Sequence, residues 1–461
     1  MVERHDMQRH GPKYRGDGSR ESTIGPKMDD NRPDALPCGQ DAPEGADDDR
    51  MQRCAGAGCN PPAACAVRVA LVHDWLDTWR GGESVLAELV RIYPGADLFT
   101  LVDFLPAAAR ARLSGKRATT SFLQRLPGAR HYFRALLPLF PRAIEALDVS
   151  GYDLVISSSH AVAKGVRTEA GQLHVCYCHT PMRYAWDLRD QYLGAHGFGA
   201  GLSGALADRM LNRLRDWDRR VSARVTHFIA NSEFIAQRIA RCYDREATVI
   251  HPPVDVHFFT PGEGGAEPAG RDYYLAASRW VPYKRMDLVA AAFRDLPGRR
   301  LIIAGDGPEA ARVRRAAGPN VEFVGEVPRE RLRDLLRGAR AFVFAAEEDF
   351  GILPVEAQAC GTPVIAYGRG GALETVREGA AGTATGMFFG AQTAEAIAAA
   401  VHAFDMALPT FRAAECRANA ERFAAERFRA EFAAFVDRVA AAPRPLLQGR
   451  QAGADAPGSV S

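Results

Sequence analysis

The sequence predicts an α/β protein built from two doubly wound parallel sheets that face each other across a cleft. Three observations lead there. Short apolar runs of strand length alternate with amphipathic helical stretches through most of the chain, as parallel strands joined by crossover helices do. The alternation breaks once, at the Gly-, Glu- and Pro-rich "TPGEGGAEPAG", and then begins again. With 461 residues, 47% of them hydrophobic, the chain exceeds one ordinary domain and has apolar material for two cores.

The first strand is the apolar run from Val67 to Val72, ending at His73-Asp74. "DTWRGGESVLAELVRIYP" follows as a glycine-bearing turn into an amphipathic helix, and further strands are read at "DLFTLV", "YDLVISSS", "LHVCYCH" and "VTHFIANS". The second run opens near Arg271 with strands "YYLAAS", "RRLIIAGDG", "VEFVGEV", "ARAFVFAA" and "TPVIAYG". Its helices are "YKRMDLVAAAFRDL", "PEAARVRRAA", "PRERLRDLLRG" and "LPVEAQACG". Near the end, Phe428, Phe432, Phe435 and Val439 recur at helical spacing, so one helix face is expected to be buried. The expected organisation is a disordered tail over 1–65, a Rossmann-like domain over 66–262, a second over 263–425, a helix over 426–442 and a flexible tail over 443–461.

A net charge of +2 with 25% charged residues gives no global attraction to nucleic acid, so any electrostatic signal must be local. Of nine cysteines, four (Cys38, Cys54, Cys59, Cys65) lie in the polar N-terminal segment and the rest are scattered, which is no disulfide framework and fits a reduced, cytoplasmic setting. No succession of basic, apolar and small residues opens the chain, and no window approaches the ~18 apolar residues that cross a bilayer. Work at a membrane would therefore be done from its surface.

The most informative stretch is "FVFAAEEDFGILPVEAQACGTPVIAYGRGG", Phe342 to Gly371. A strand runs into the loop "EEDFG", at the carboxyl edge where such sheets bind ligands. Pro354 suits a first helical turn and Gly361 its end, which places Glu348 in the cleft loop and Glu356 in the first turn. An acid there can simply complement the helix dipole. Its company argues for more: Arg279 and Lys284 in "SRWVPYKRMDLV" are cations suited to a diphosphate, and the glycine turns "GDGPE" (Gly305 to Glu309) and "GRGG" (Gly368 to Gly371) sit at the same sheet edge. None completes a G-x-G-x-x-G pattern.

"EDFGILPVEAQACGTPVIA" resembles the E-x7-E motif of the retaining glycosyltransferases of family 4, and "SRWVPYKRMDLVAAAF", "LIIAGDGPE" and "VEFVGEV" resemble the rest of that family's donor domain. "VHDWLDTWRGGESVL", "CYCHTPMRYAWDL", "FIANSEFIAQRI" and "VIHPPVDVHFF" match its N-terminal blocks in order, and the resemblance covers roughly Val67 to Ala440. "CHTPMRYAWDLRDQYL" is most similar to the mannosyltransferase branch that builds bacterial surface polysaccharides.

The resemblance implies the GT-B fold, with acceptor on the first domain and nucleotide sugar on the second. It implies that Glu356 binds ribose hydroxyls and that Glu348 lies beside the transferred sugar, with Phe350, Gly351 and Ile352 of the same motif in the donor site. Arg279 and Lys284 would neutralise the diphosphate beside Gly305, Gly81 and Gly82 would let the facing loop close, and Gly325 to Val327 would meet the base. His179 of the "HTP" block would line the junction of sugar and acceptor, acting in catalysis with Glu348, Arg279 and Lys284. The implied reaction is metal-independent and retaining, with GDP-mannose as donor and a lipid-linked or oligosaccharide acceptor. A UDP-hexose donor, a sugar-nucleotide epimerase and a non-catalytic binding protein are the competing readings. The epimerase would need acid-base carboxylates in both domains, and the binding protein would not need the charged set.

Other residues carry weaker signals. His160, after a strand, is a further cleft candidate, and Asp74 either orients a substrate group or caps a turn. Cys176 and Cys178 share a strand face without a second ligand pair, so no metal site is expected. The D-x-D triplet Asp216-Trp217-Asp218 reads as part of a charged helix face. Between Arg110 and Arg142 lie eight basic residues (Arg110, Arg112, Lys116, Arg117, Arg125, Arg130, Arg134, Arg142) and no acids, interleaved with Tyr132, Phe133, Leu136, Leu137, Leu139 and Phe140. That pattern suits peripheral docking on an anionic inner membrane face; the alternative is a domain-covering helix with solvated arginines.

Overall fold

A computed structural model describes residues 67–186, 202–262, 267–379 and 382–442. The expected tails, the four N-terminal cysteines and the end of the "CHTPMRYAWDLRDQYL" block lie outside the described residues.

The first sheet is parallel throughout, in the order β3-β2-β1-β4-β5-β6-β7. Its strands are β1 (Val69–His73), β2 (Asp97–Thr100), β3 (Thr119–Thr120), β4 (Leu154–Ser159), β5 (Leu173–Cys178), β6 (His227–Ala230) and β7 (Ala247–Val249). The central strands β1, β4 and β5 are buried along their whole length, which is why they read as unbroken apolar or small-residue runs rather than alternating ones. The second sheet, also parallel, runs β10-β9-β8-β11-β12-β13. It comprises β8 (Tyr273–Ala277), β9 (Arg300–Ala304), β10 (Val321–Gly325), β11 (Ala339–Phe344), β12 (Val364–Tyr367) and β13 (Gly386–Phe389). Three edge strands, β3, β7 and β13, were not read from the sequence: they have two to four residues and are only partly buried, so they leave little periodic signal.

In each sheet the strand order reverses once, between β1 and β4 and between β8 and β11. Crevices open outside the carboxyl ends of strands at such reversals. The loops after β1, β4, β8 and β11 carry most of the residues singled out in the sequence.

The C-terminal helix Ala425–Ala441 crosses back to the first domain. Phe428, Phe432, Phe435 and Val436 pack with Val85, Leu86 and Leu89 of α1 (Gly81–Ile92), and Arg429 pairs with Glu88 at 2.6 Å. Burial of those three rings ties the end of the chain to its beginning.

The Asp216-Trp217-Asp218 triplet lies on the helix Leu202–Ser222, as read, but only part of it faces solvent: Asp216 is exposed, whereas Asp218 is fully buried, 2.6 Å from Lys164 Nζ. Trp186 Nε1 and Tyr243 OH donate to Asp218 at 2.9 and 2.7 Å, so this carboxylate is committed internally. The basic stretch is not the single domain-covering helix of the alternative reading. It folds as short pieces, Ala107–Ala111, Phe122–Arg125, Ala129–Tyr132, Phe133–Leu139 and Phe140–Glu145, because Pro127-Gly128, Pro138 and Pro141 interrupt any longer run. Arg110 pairs with Asp103 at 2.6 Å, Lys116 donates to the Ala96 carbonyl and Arg134 pairs with Asp77. Arg125, Arg130 and Arg142 stay exposed, as do Phe122, Tyr132 and Leu139.

Candidate active site

The N-terminal wall is a network of buried polar groups at the ends of β1, β4 and β5. Asp74 accepts hydrogen bonds from the amides of His160 (2.6 Å), Ala161 (3.0 Å), Val162 (2.5 Å) and Ala163 (2.7 Å), and pairs with His160 Nδ1 at 2.9 Å. Burial alone would raise this carboxyl; the charge and hydrogen bond of His160, helped by His73, hold it well below the usual carboxylate range. Asp74 therefore caps the turn after β4 and has no capacity left for a substrate.

Ser158 Oγ bridges His73 Nδ1 (3.2 Å) and His179 Nε2 (2.9 Å). Burial, with the neighbouring His160 and His73 acting in the same direction, lowers the His179 pKa to about 3, so His179 is a neutral imidazole at any working pH. Gly82 faces these rings: a Cβ there would lie 3.6 Å from His73 Cε1 and 3.8 Å from His179 Nε2, filling the space above them.

The opposite wall carries charge. Lys284 ends the short turn Pro282–Lys284 after β8 and forms an ion pair with Glu348, in the loop after β11. Burial, with the Arg183 guanidinium adding to it, pulls the Lys284 ammonium down to about 7, against the opposing pull of Asp349. The Glu348 carboxylate in contact with it also favours the charged form. Glu356 lies deeper in the helix Ile352–Ala359 than the sequence suggested, because the helix begins two residues before Pro354. Burial first, then Asp255, raises its carboxyl to about 7, with Arg329 opposing.

The glycine turns act as backing for these loops. A Cβ on Gly305 would fall 1.9 Å from the Ser278 carbonyl oxygen, and one on Gly370 2.4 Å from that of Glu348, so the "GDG" and "GRGG" turns press on the loops that carry Arg279 and Glu348.

A cavity of about 540 Å³ brings together Gly81, Gly82, His160, His179, Lys284, Glu348, Phe350, Gly351 and Ile352. Glu356 lines an adjoining cavity of about 530 Å³ that shares Gly81 and Ile352. Arg279 is exposed beyond β8, and it, Gly305, Gly325 and Val327 line neither cavity. The domains meet closely here: a Cβ on Gly81 would come within 2.7 Å of Ile352 Cδ1. Asp349 pairs with Arg183 and Arg238 of the first domain, and Glu374 accepts from the amides of Glu233 (2.9 Å) and Phe234 (3.2 Å). Ser158, Arg183 and Asp349 were missed by the sequence reading. The last two stood inside the quoted blocks "CHTPMRYAWDL" and "EDFG", where only their neighbours were singled out.

Two parallel-sheet α/β domains with facing carboxyl edges and a polar cleft between them define the GT-B fold of glycosyltransferases. Residues 79–258 match the family described as Glycosyltransferase Family 4 and residues 263–405 the family described as Glycosyl transferases group 1, so both domains are accounted for and the chain belongs to family 4 of the glycosyltransferases. It is 31% identical over 268 residues to D-inositol 3-phosphate glycosyltransferase of Mycobacterium sp. (strain KMS), a match over 50% of this chain and 60% of that protein. The Mycobacterium marinum enzyme of the same description is also 31% identical, over 50% of this chain and 57% of its own length. The chain thus spans less than two thirds of the length of these curated relatives. Among solved structures, sucrose-phosphate synthase from Thermosynechococcus elongatus superposes with a TM-score of 0.59 at 20% identity, covering 81% of this chain and 99% of that one. Anabaena HepE in complex with UDP gives 0.57 at 17% identity, covering 80% and 100%. Among the described residues, no helix is long and apolar enough to cross a membrane.

Proposed function

We propose that this protein is a retaining glycosyltransferase that moves a hexose from a nucleotide sugar to a hydroxyl of a lipid-linked or oligosaccharide acceptor. The observation that carries this reading is the meeting of Lys284 and Glu348 from one sheet with His179 from the other around a single cavity of about 540 Å³. Glu356, in the adjoining cavity, takes the ribose hydroxyls, which a carboxylate accepts in pairs. Lys284 and Arg279 hold the diphosphate, whose negative charge, like that of Glu348, favours the charged form of the Lys284 ammonium. As the bond from the sugar C1 to the phosphate oxygen breaks, negative charge grows on the diphosphate, and fixed cations stabilise that state more than the ground state. The acceptor oxygen bonds to C1 on the same face while its proton passes to the departing phosphate oxygen. Neutral His179, hydrogen-bonded to Ser158, orients the reacting hydroxyls without titrating. These steps need no metal ion.

For the donor, the likeness of "CHTPMRYAWDLRDQYL" to the surface-polysaccharide mannosyltransferase branch favours GDP-mannose. A UDP-hexose is the second reading, favoured by the UDP and UDP-glucose complexes of the similarly folded HepE. A thermal-shift panel of GDP, UDP, ADP, GDP-mannose and UDP-glucose separates them, since a ligand of the native state raises the melting temperature. Stabilisation by GDP compounds alone supports the mannosyl reading, a UDP preference replaces it, and no response to any nucleotide rejects the transferase reading. A cytoplasmic site at the inner membrane face rests on Phe122, Tyr132 and Leu139 exposed alongside Arg125 and Arg130. Replacing Arg125 and Arg130 by Glu should reduce sedimentation with anionic liposomes, by about 1 kcal/mol of binding per lost positive charge; unchanged sedimentation removes the membrane from the proposal.

A further inference from the structure

A buried chain of polar groups runs behind the sugar cavity, and it has a direction. It starts at Glu83, in the first turn of α1, which is almost wholly buried. Glu83 Oε2 accepts from the Arg80 amide at 2.8 Å, and Oε1 lies 3.8 Å from His73 Nε2. His73 Nδ1 meets Ser158 Oγ at 3.2 Å, and the same Oγ meets His179 Nε2 at 2.9 Å. His73 and Ser158 are closed off from solvent, and His73 Nε2 has no hydrogen-bond partner, so the Glu83 carboxylate is the group it faces. His179, at the far end, lines the cavity, and its Nδ1 has no protein partner among the described residues.

Counting protons along the chain sets the direction. A carboxylate only accepts, so the His73 nitrogen that faces Glu83 carries a proton, and a neutral imidazole has just one. A positive His73 is disfavoured by its neighbour. Burial opposes charge on His160, but Asp74, 2.9 Å from its Nδ1, overrides burial and raises the His160 pKa. A second imidazolium, with its ring centre 6.0 Å away, would meet that like charge. His73 Nδ1 is then a bare acceptor and takes the single Ser158 proton. Ser158 Oγ is left to accept, so the His179 proton sits on Nε2 and His179 Nδ1 is bare.

We propose that Glu83, acting through His73 and Ser158, holds His179 as its Nε2–H tautomer, so that the bare Nδ1 accepts a hydrogen bond from a substrate hydroxyl in the sugar cavity. The proposal rests on the transferase reading for the substrate and adds three positioning residues to it; His179 alone touches the substrate. This tautomer suits a hydroxyl and not an ionised phosphate oxygen, which has no proton to give. It therefore assigns His179 to the sugar side of the site and not to the diphosphate. The hydroxyl belongs either to the donor sugar or to the acceptor, and the recognition chemistry is the same.

The test is NMR of the full chain labelled with nitrogen-15 in histidine, at a pH above the ordinary histidine range, where couplings to ring carbon-bound protons tell the protonated nitrogen from the bare one. The His179 signals, identified by their loss in His179→Asn, should show the proton on Nε2. Glu83→Gln should reverse the chain. The Arg80 amide holds the glutamine carbonyl oxygen, the side-chain NH2 then faces His73 Nε2, and every donor behind it switches, moving the His179 proton to Nδ1. Ser158→Ala cuts the chain and should release His179 into a mixture of tautomers. Glu83→Gln in that background should change nothing further, an outcome that repacking alone would not give. A native His179 protonated on Nδ1, or a tautomer unmoved by Glu83→Gln, overturns the proposal. A shift of the Nδ1 signal on adding GDP-mannose or UDP-glucose, but not GDP or UDP, assigns the hydroxyl to the donor sugar. A shift that needs a methyl glycoside as well assigns it to the acceptor, and no shift with either rejects the substrate contact. A chain that switches as stated in a protein that binds no nucleotide would instead overturn the transferase reading.

Discussion

The two walls of the cleft handle buried charge in opposite ways. On the N-terminal wall, Asp74 is fully buried yet fully engaged, with four backbone amides and His160 around it, and its carboxyl is held far below the usual range. On the C-terminal wall, burial moves Glu356 up and Lys284 down, both to about 7. The first arrangement holds the fold together, because the protein itself supplies every partner. On the second wall Lys284 has Glu348 as its partner, while burial of Glu356 costs stability and suits that carboxyl to groups that a ligand brings. A polar residue in a cleft is therefore informative only when its internal partners have been counted.

The largest expected effect tests the first wall. Asp74→Ala leaves four amides and a histidine without their acceptor and should destabilise the protein by about 3–5 kcal/mol, read as a fall in denaturation midpoint; a small loss would show that solvent replaces the carboxylate. Lys284→Ala, on the other wall, removes the partner of Glu348 and should lower the melting temperature less than Asp74→Ala does, while weakening nucleoside diphosphate binding by roughly 10- to 100-fold in titration calorimetry. Unchanged affinity would remove Lys284 from the diphosphate site.

Glu356→Gln sharpens the contrast because stability and binding should move in opposite directions. The folded carboxyl keeps its proton up to about pH 7, whereas the unfolded one loses it near the ordinary glutamate value of 4.5. The native protein therefore loses stability as pH rises through that window, and the glutamine variant does not. Above pH 7 the variant should be more stable by on the order of 2 kcal/mol while binding nucleotide more weakly, and parallel melting curves across pH would contradict the assignment. The smallest effect should come from Asp216→Ala, on the exposed side of its helix, at within about 0.5 kcal/mol of the native stability. Asp218, two residues on, is its buried counterpart.

Much of the candidate site was legible because loops after buried parallel strands are short and their position follows from strand order. Glu348, Lys284, His179 and the Gly81-Gly82 pair stand at such loops, and the structure gathers them into one cavity. Arg279 has the same sequence context but is exposed and lines neither cavity, since nothing in a loop's sequence fixes the direction of a long side chain. The glycine turns looked like ligand cradles, yet Gly305 and Gly370 are required by the backbone they press against. Asp74 and Asp218 could not be judged from neighbours in sequence, because their partners lie up to 89 residues away.

By itself the sequence determined the two parallel sheets, their central strands, the linker between them and the short segments that bear the chemistry, because hydrophobic periodicity and local turn preferences are properties of neighbouring residues. Only the tertiary structure decided which polar groups are satisfied and which are held ready, that the last helix returns to the first domain, and that side chains from both domains converge on one cavity. Those outcomes depend on burial and on contacts between residues far apart in the chain.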